Sequence, residues 1–526
     1  MEMFLGCKDL SVRFYNRSEK ILSQITLSIN KGEKVLILGP SGSGKSTLIS
    51  ALAGIIPEHL EAEVSGDVFC RKDAGVMFQD PDSQFCMLHV DEEIAFSLEN
   101  RSIPRNEMDK MISDLMDNVG LMVDKKTPIE TLSGGMKQRL ALACLLALEP
   151  EVLFFDEPTA QLDPAGRNEI FVLLNQLAQK TNHTMVFVEH VLDGCIEWMD
   201  RVIVINESGS IIGDGRPEEI LLNFNNEMKE AGIWRPKLFP EKWEEVVQNT
   251  SHPLSIKLSN RIKTKPLIKT KEKDILLRTE NVEIGYGKKT IVRDIDIKIH
   301  KGEWISIVGE NGSGKSTFLK SLIRLEPIKK GEIYFQDTEL KKWSERELYE
   351  KAGFVFQNPE LQFITDTVFE EVAFGGRQRN WPEELIHTKT MQMLQEFGLE
   401  SYQNAHPFTL SLGQKRRLSV ATMLLFDQTL LLLDEPTFGQ DEKTAKELIH
   451  HLKERQEQGT TIVMVTHDMD VVDCFSDQVI LFNKGRVTYQ GTPYKLFSDP
   501  NIFRESALIP PLHYQLMHAR KEGVLV

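Results

Sequence analysis

The sequence contains no run approaching eighteen uncharged apolar residues, the length a membrane-spanning helix needs. Its start carries Glu2, Lys8 and Asp9 without the apolar segment of a secretion signal, so it reads as a cytosolic or peripheral chain whose membrane role needs partner subunits. Cysteine is scarce. The six thiols (Cys7, Cys70, Cys86, Cys144, Cys195, Cys474) include no C-x-x-C pair, which speaks against a zinc site or disulfide framework and for buried thiols in a reducing compartment. Basic residues are outnumbered, 62 Lys and Arg against 78 Asp and Glu, for a net charge of −16. Such a balance is wrong for a protein that coats nucleic-acid phosphates, although a local basic patch is compatible with it. What remains is 526 residues, enough for two to four domains with real cores.

Against these absences stands one pattern written twice: Gly39-Pro40-Ser41-Gly42-Ser43-Gly44-Lys45-Ser46-Thr47 and Gly309-Glu310-Asn311-Gly312-Ser313-Gly314-Lys315-Ser316-Thr317. Each is a full G-x-x-x-x-G-K-[ST] P-loop. Each follows a continuous apolar run (Val35 to Leu38, Trp304 to Val308) and opens onto a helix-period pattern (Leu48, Ile49, Leu52; Phe318, Leu319, Leu322), which gives strand, loop, helix. The glycines let backbone N–H groups converge on a triphosphate at a helix N-terminus. Lys45 and Lys315 are expected at the β/γ-phosphates, and Ser46 and Ser316 on Mg²⁺.

The repetition continues. Gln79 and Gln357, Ser133 and Ser411, Asp156 and Asp434, and Asp163 and Asp441 are all 278 residues apart, whereas the P-loop lysines are 270 apart. One ancestral domain has been duplicated, with eight extra residues in the second copy, expected as a surface loop. The repeat breaks between Leu222 and Asp274, where a lysine-rich run (Lys257, Arg261, Lys263, Lys265, Lys269, Lys271, Lys273) reads as a solvated tether, with contact to anionic lipid as the alternative. A flexible tether of that length would let the copies pair within one chain. The expected organisation is a first domain over 1–222, a linker over 223–274, a second domain over 275–497 and a tail over 498–526.

Each copy has an apolar strand ending in two acids, Val152 to Asp156-Glu157 and Leu430 to Asp434-Glu435. A buried parallel strand delivers both carboxylates to its C-terminal edge, beside the P-loop. The first acid is placed to orient Mg²⁺, and the second to polarise a water as general base. A further strand in each copy closes on histidine, Met185 to His190 and Ile462 to His467, suited to the γ-phosphate or the attacking water. Gln79 and Gln357, after Val76-Met77-Phe78 and Phe354-Val355-Phe356, are candidates for the Mg²⁺ or water shell. Tyr15 and Tyr286 suit stacking on adenine; an ordinary core aromatic is the alternative, and Phe14 competes with Tyr15. Leu132-Ser133-Gly134-Gly135-Met136 heads a helical pattern in which Ser133 caps the first turn and leaves N–H groups for an anion.

P-loop, glutamine, LSGG-type signature, Asp-Glu-Pro-Thr, a following Asp and then His: in this order the chain resembles the ATP-binding cassette ATPases, over all but the linker and tail. The resemblance implies an α/β fold of two P-loop NTPase cassettes, each with a core α/β sheet, an antiparallel β subdomain and a helical signature subdomain. It implies ATP and Mg²⁺ as ligands and head-to-tail pairing of the cassettes, each ATP lying between one P-loop and the other's signature (Ser133, Gly134, Gly135; Ser411, Gly413). Asp163 and Asp441 match the family's D-loop.

The stretches Phe78 to Phe85 with Val90 to Phe96, and Phe356 to Phe363 with Val368 to Phe374, resemble the energy-coupling factor ATPases more narrowly. That resemblance implies a peripheral subunit on the cytoplasmic face of the membrane. It would dock a transmembrane T subunit joined to a substrate-binding S subunit, importing a vitamin, vitamin precursor or transition-metal ion. The fused pair of cassettes is also similar to members grouped with thiamine-precursor uptake. Asp91, Glu92, Glu93, Glu370 and Glu371 then suit basic residues on the partner's coupling helices, unless they form only a solvated acidic face. A duplicated sugar-importer ATPase and a soluble twin-cassette translation factor are the competing readings. The first usually has one degraded site, and the second favours a basic surface and Asn-His-Leu-Asp where this chain has Ala160-Gln161-Leu162-Asp163 and Phe438-Gly439-Gln440-Asp441. The copies differ at the signature, with Leu412 in place of the first glycine of the second and Met136 in the first where the family usually has Gln.

Overall fold

The computed structural model describes residues 4–15, 19–70, 73–160, 162–263, 274–287, 289–503, 506 and 508–522. Two compact units emerge, Met1–Lys242 with Asp441–Lys443, and Trp243–Gln440 with Thr444–Val526.

In the first unit a six-stranded sheet runs in the order Ala74–Met77, Val152–Asp156, Thr184–Val188, Lys34–Leu38, Arg201–Ile205, Ile211–Gly215, parallel except for the last strand. A three-stranded antiparallel sheet (Leu22–Ile29, Leu5–Phe14, Ala62–Phe69) accompanies it. The central P-loop strand has both faces buried because both are apolar. Val35 and Ile37 join the core under the antiparallel sheet, with Leu5, Leu10, Ile25 and Leu48. Leu36 and Leu38 join the core under the helices Val90–Asn100, Arg105–Asn118 and Gly134–Ala147, where Phe155 stacks on Phe187 at 4.6 Å.

The second unit repeats the plan: Ala352–Val355, Leu430–Asp434, Thr461–Val465, Trp304–Gly309, Gln478–Asn483, Arg486–Gly491, the last again antiparallel. Its antiparallel sheet is built on Ile275–Tyr286 and Ile328–Phe335. Helices Val368–Gln378, Glu383–Glu396 and Leu412–Leu424 form the helical part. In place of the expected plain surface loop, this copy has the short strand Thr338–Glu339 and the helix Glu345–Lys351, whose N-terminus is closed by a reciprocal Ser344–Glu347 capping box.

The flexible-tether reading does not hold where the stretch is described. Helices Asn225–Glu230, Trp243–Gln248 and Pro253–Lys263 occupy it, with Met228, Ile233, Val246 and Leu258 buried. Lys265, Lys269, Lys271 and Lys273 lie outside the described residues. Within the second unit the tail helix Leu512–Glu522 is tied down by Arg520, which donates to the carbonyls of Val246 and Val247 and to the hydroxyls of Ser255 and Ser259. Among the described residues no helix is long and apolar enough to cross a membrane.

Candidate functional site

Glycine shapes both P-loops before any side chain acts. Gly42 and Gly44 have φ of 83° and 91°, and Gly312 and Gly314 of 74° and 98°, values that a residue with a Cβ adopts only under strain. Ser41 and Asn311 precede these glycines, and Ser43 and Ser313 lie between them. The helices Lys45–Leu52 and Lys315–Ser321 follow, and no side chain caps either N-terminus, so their first N–H groups face the loop free of side-chain acceptors. Lys45 and Lys315 are buried and fold back on the loops: Lys45 Nζ donates to Gly39 O and Pro40 O at 2.8 and 2.9 Å, Lys315 Nζ to Gly309 O and Glu310 O at 2.7 and 2.8 Å. Burial pulls the Lys45 ammonium below its ordinary value, and the Glu157 and Asp156 carboxylates pull it back.

The Asp-Glu strand is not the neighbour of the P-loop strand in either sheet; the histidine strand lies between them. The carboxylate nevertheless reaches the loop. Ser46 Oγ donates to Asp156 Oδ1 at 3.0 Å, and Ser316 Oγ to Asp434 Oδ1 at 2.9 Å. Burial pushes both aspartates up to about 6, against the serine hydrogen bonds and the nearby lysines. Among the described residues no three or more His, Cys, Asp or Glu side chains group as a metal site. A serine hydroxyl and one carboxylate beside an anion cradle suit Mg²⁺, which takes few protein oxygens and completes its shell with phosphate and water. Ser46 with Asp156, and Ser316 with Asp434, would hold it. Bound there, Mg²⁺ would neutralise phosphate charge.

One residue on, Glu157 and Glu435 sit at φ 50° and 51°, a left-handed conformation unusual for glutamate, and their N–H groups donate to Val188 O and Val465 O. The turn aims both carboxylates at the histidine strand's end. Glu157 Oε1 lies 2.8 Å from His190 Nε2 and its Oε2 accepts from Gln79 Nε2 at 2.8 Å. Glu435 Oε1 lies 3.2 Å from His467 Nε2. Burial acts to raise both glutamates, but the adjacent histidine, with the P-loop lysine, outweighs it and holds them below the ordinary carboxylate range. Each P-loop, aspartate, glutamate and histidine thus converges within its own unit. Gln79 joins them directly. Gln357 occupies the same chain position without a hydrogen bond to Glu435 among the described residues.

Tyr15 and Tyr286 are 69% and 53% exposed, which removes the core-aromatic alternative, and Phe14 packs against the antiparallel-sheet core instead. Tyr286 donates its hydroxyl to Glu326 at 2.6 Å. At the signatures, Ser133 Oγ accepts from Met136 N and Ser411 Oγ from Gln414 N, both at 3.4 Å. Gln414 returns the bond by accepting from Ser411 N, which methionine at 136 cannot do. Gly134 and Leu412 each begin their helix, so Leu412 leaves the second helix start intact. Asp163 caps the helix Pro164–Lys180 through Gly166 N.

The acid cluster is not a single surface. Glu93 and Glu371 are buried, at 4% and 5% exposure. Glu93 Oε2 accepts from Cys86 N and Met87 N, and Glu371 Oε2 from Ile364 N, Thr365 N and Thr365 Oγ1. They pin the loop that follows each glutamine and do not face a partner. Asp91 pairs with Lys126, Glu92 with His89, and Glu370 with Arg377. The two regions also expose apolar side chains: Met87, Leu88 and Phe96 in one, Leu361, Ile364 and Phe374 in the other. Glu189, which no sequence motif singles out, is buried beside His190 and accepts from Thr159 N and Oγ1. Thr466 replaces it in the second unit.

The sequence profile described as ABC transporter matches residues 22–160 and 292–438. YkoD of Bacillus subtilis (strain 168), provisionally named an HMP/thiamine import ATP-binding protein, is 38% identical over 98% of this chain and 97% of its own. The ABC transporter ATP-binding protein CPE1583 of Clostridium perfringens (strain 13 / Type A), also provisionally named, is 36% identical over 97% and 94%. The structure of cbiO1 from Clostridium perfringens, titled as part of the ABC transporter complex cbiONQ, aligns with 47% of this chain and all of its own at 32% identity and a TM-score of 0.40. With both matched segments carrying the P-loop and Asp-Glu pair described above, this chain belongs to the ABC transporter family as a twin-cassette ATPase.

Proposed function

We propose that the chain is the energy-coupling subunit of an importer for a vitamin, a vitamin precursor or a transition-metal ion. In this reading it works as a peripheral protein on the cytoplasmic membrane face, bound to a transmembrane T subunit that carries a substrate-binding S subunit. The observation that carries the reading is the likeness to YkoD along essentially the whole of both chains. The exposed apolar side chains after each glutamine (Met87, Leu88, Phe96; Leu361, Ile364, Phe374) supply the surface on which apolar faces of coupling helices would pack.

In each catalytic cycle Lys45 and Lys315 would hold the β/γ-phosphates. Asp156 and Asp434 would fix the cation together with Ser46 and Ser316. Glu157 and Glu435 would draw the proton from the attacking water while His190 and His467 keep the carboxylate oriented. Gln79 and Gln357 lie at the start of the partner-facing loops and would report docking to the water-binding carboxylate. The exposed Tyr15 and Tyr286 rings would stack on adenine. Each signature, Ser133-Gly134-Gly135 or Ser411-Leu412-Gly413, would close over the nucleotide held by the other cassette. Residues 1–222 and 275–497 would form the two catalytic cassettes.

Purification of the chain with its partners from native membranes tests this, followed by identification of the copurifying proteins and of any bound small molecule. A multispanning protein and a small substrate-binding membrane protein are expected. Recovery with ribosomes and no membrane protein would overturn the proposal.

A further inference from the structure

The helix that follows each signature carries different residues at one buried position. In the helix Leu412–Leu424 it is Arg416; in the helix Gly134–Ala147, 278 residues earlier, it is Gln138. Arg416 is 1% exposed and Gln138 is 0% exposed. A fully buried guanidinium is costly unless its charge and its donors have work to do. One donor does: Arg416 Nη1 donates to Phe356 O at 2.9 Å. Its Nε has no hydrogen-bond partner, and among the described residues no carboxylate forms an ion pair with it. Burial pulls the guanidinium down to about 10, with the Glu435 and Asp434 carboxylates acting the other way, so it stays charged at neutral pH.

Phe356 immediately precedes Gln357, where the strand Ala352–Val355 releases the loop that carries the glutamine. The arginine therefore holds the backbone at the loop's root. Among the described residues the first cassette has no equivalent: neither polar side-chain atom of Gln138 has a hydrogen-bond partner. There the glutamine is fixed from its other end, by the bond from Gln79 Nε2 to Glu157. The cassettes thus secure the same loop differently, the first through the amide of the glutamine on the carboxylate, the second through a charged anchor on the backbone.

We infer that Arg416 is a positioning residue of the second cassette: it fixes the Phe356 carbonyl, and with it the root of the loop that carries Gln357. A loosened loop root shifts Gln357, and sub-ångström misplacement in a reacting array is expensive in rate. Glutamine keeps a donor but no charge. Lysine keeps both, without the planar fork.

The test is steady-state ATP hydrolysis by the full chain assembled with its membrane partners, in the wild-type background and with Glu435→Gln. Arg416→Gln copies the residue that the first cassette tolerates. It is expected to lower kcat about tenfold with KM for ATP unchanged within about twofold, and Arg416→Lys to recover at least about half of that loss. With Glu435→Gln, which disables the second cassette, Arg416→Gln is expected to change the remaining rate by less than about twofold. A KM that rises in step with the fall in kcat, a lysine variant as slow as the glutamine variant, or equal slowing in both backgrounds would overturn the assignment. So would failure of both variants to fold, because the arginine would then serve packing alone. The readout is hydrolysis, so the result stands whatever is transported.

Discussion

Glu157 and Glu435 show how much of a candidate catalytic residue lies outside its identity. Asp-Glu-Pro-Thr at the end of an apolar strand made the chemistry legible, but not the φ of 50° and 51° that turns each carboxylate toward His190 or His467. That turn depends on the bond from the glutamate N–H to the neighbouring strand, a pairing the sequence does not display. The first glutamate is held by both Gln79 and His190, the second by His467 with Arg416 in the background. In the assembled complex, Glu435→Gln is expected to reduce hydrolysis more than Glu157→Gln, because under the proposed head-to-tail pairing its P-loop would face the signature that keeps Gly134 and Gly135. Nucleotide binding should persist in both variants, and equal losses, or a larger loss for Glu157→Gln, would contradict the asymmetry. Asp156 and Asp434 add a pH dependence. Their folded-state values are raised to about 6, and a metal needs the ionised form, so protonation competes with the cation as pH falls through that value. Mg²⁺-dependent nucleotide affinity, titrated by calorimetry, should be constant between about pH 7 and 8 and weaken by roughly tenfold at pH 5. An unchanged affinity at pH 5 would refute this.

At the scale of elements, repetition made the strands, P-loops and signature helices readable, because each apolar run occurred twice in the same order. Orientation was harder. The acids opening Val90–Asn100 and Val368–Gln378 suggested a partner-facing surface, yet Glu93 and Glu371 turn inward to satisfy backbone donors of the preceding loop. Adjacent acids on a helix point in directions about 100° apart, so a run of them cannot all face one way. Glu371→Ala should therefore destabilise the second unit by about 1–3 kcal/mol, seen as a lower melting temperature, since it leaves two loop N–H groups without their acceptor. Glu92→Lys, on the exposed side, should leave the melting temperature within about a degree. A Glu371→Ala protein as stable as the wild type would return that glutamate to the surface role. The joining stretch departs from the tether expectation for a related reason. Its helices are only six to eleven residues long, too short for a clear period, and their order comes from burying Met228, Val246 and Leu258. Arg520 gives the tail helix four hydrogen-bond partners that no local pattern announces.

For the whole molecule, duplication leaves two complete sets of phosphate-binding, cation-binding and water-polarising residues in one chain, and neither set is degraded. A full set of candidate site residues in both copies separates this chain from the sugar-importer reading, in which one site is usually lost. The net charge of −16 and the likeness to YkoD over whole chains separate it from the translation-factor reading. Coupling is the central claim: ATP hydrolysis at these glutamates moves a membrane partner. It is tested most directly by ATP-driven substrate uptake in vesicles containing the complex purified from native membranes, with wild-type chain or with Glu157→Gln and Glu435→Gln combined. The account predicts that the double variant binds ATP as the wild type does while hydrolysis and uptake fall together by at least about a hundredfold. Uptake that persists when hydrolysis is lost would contradict it.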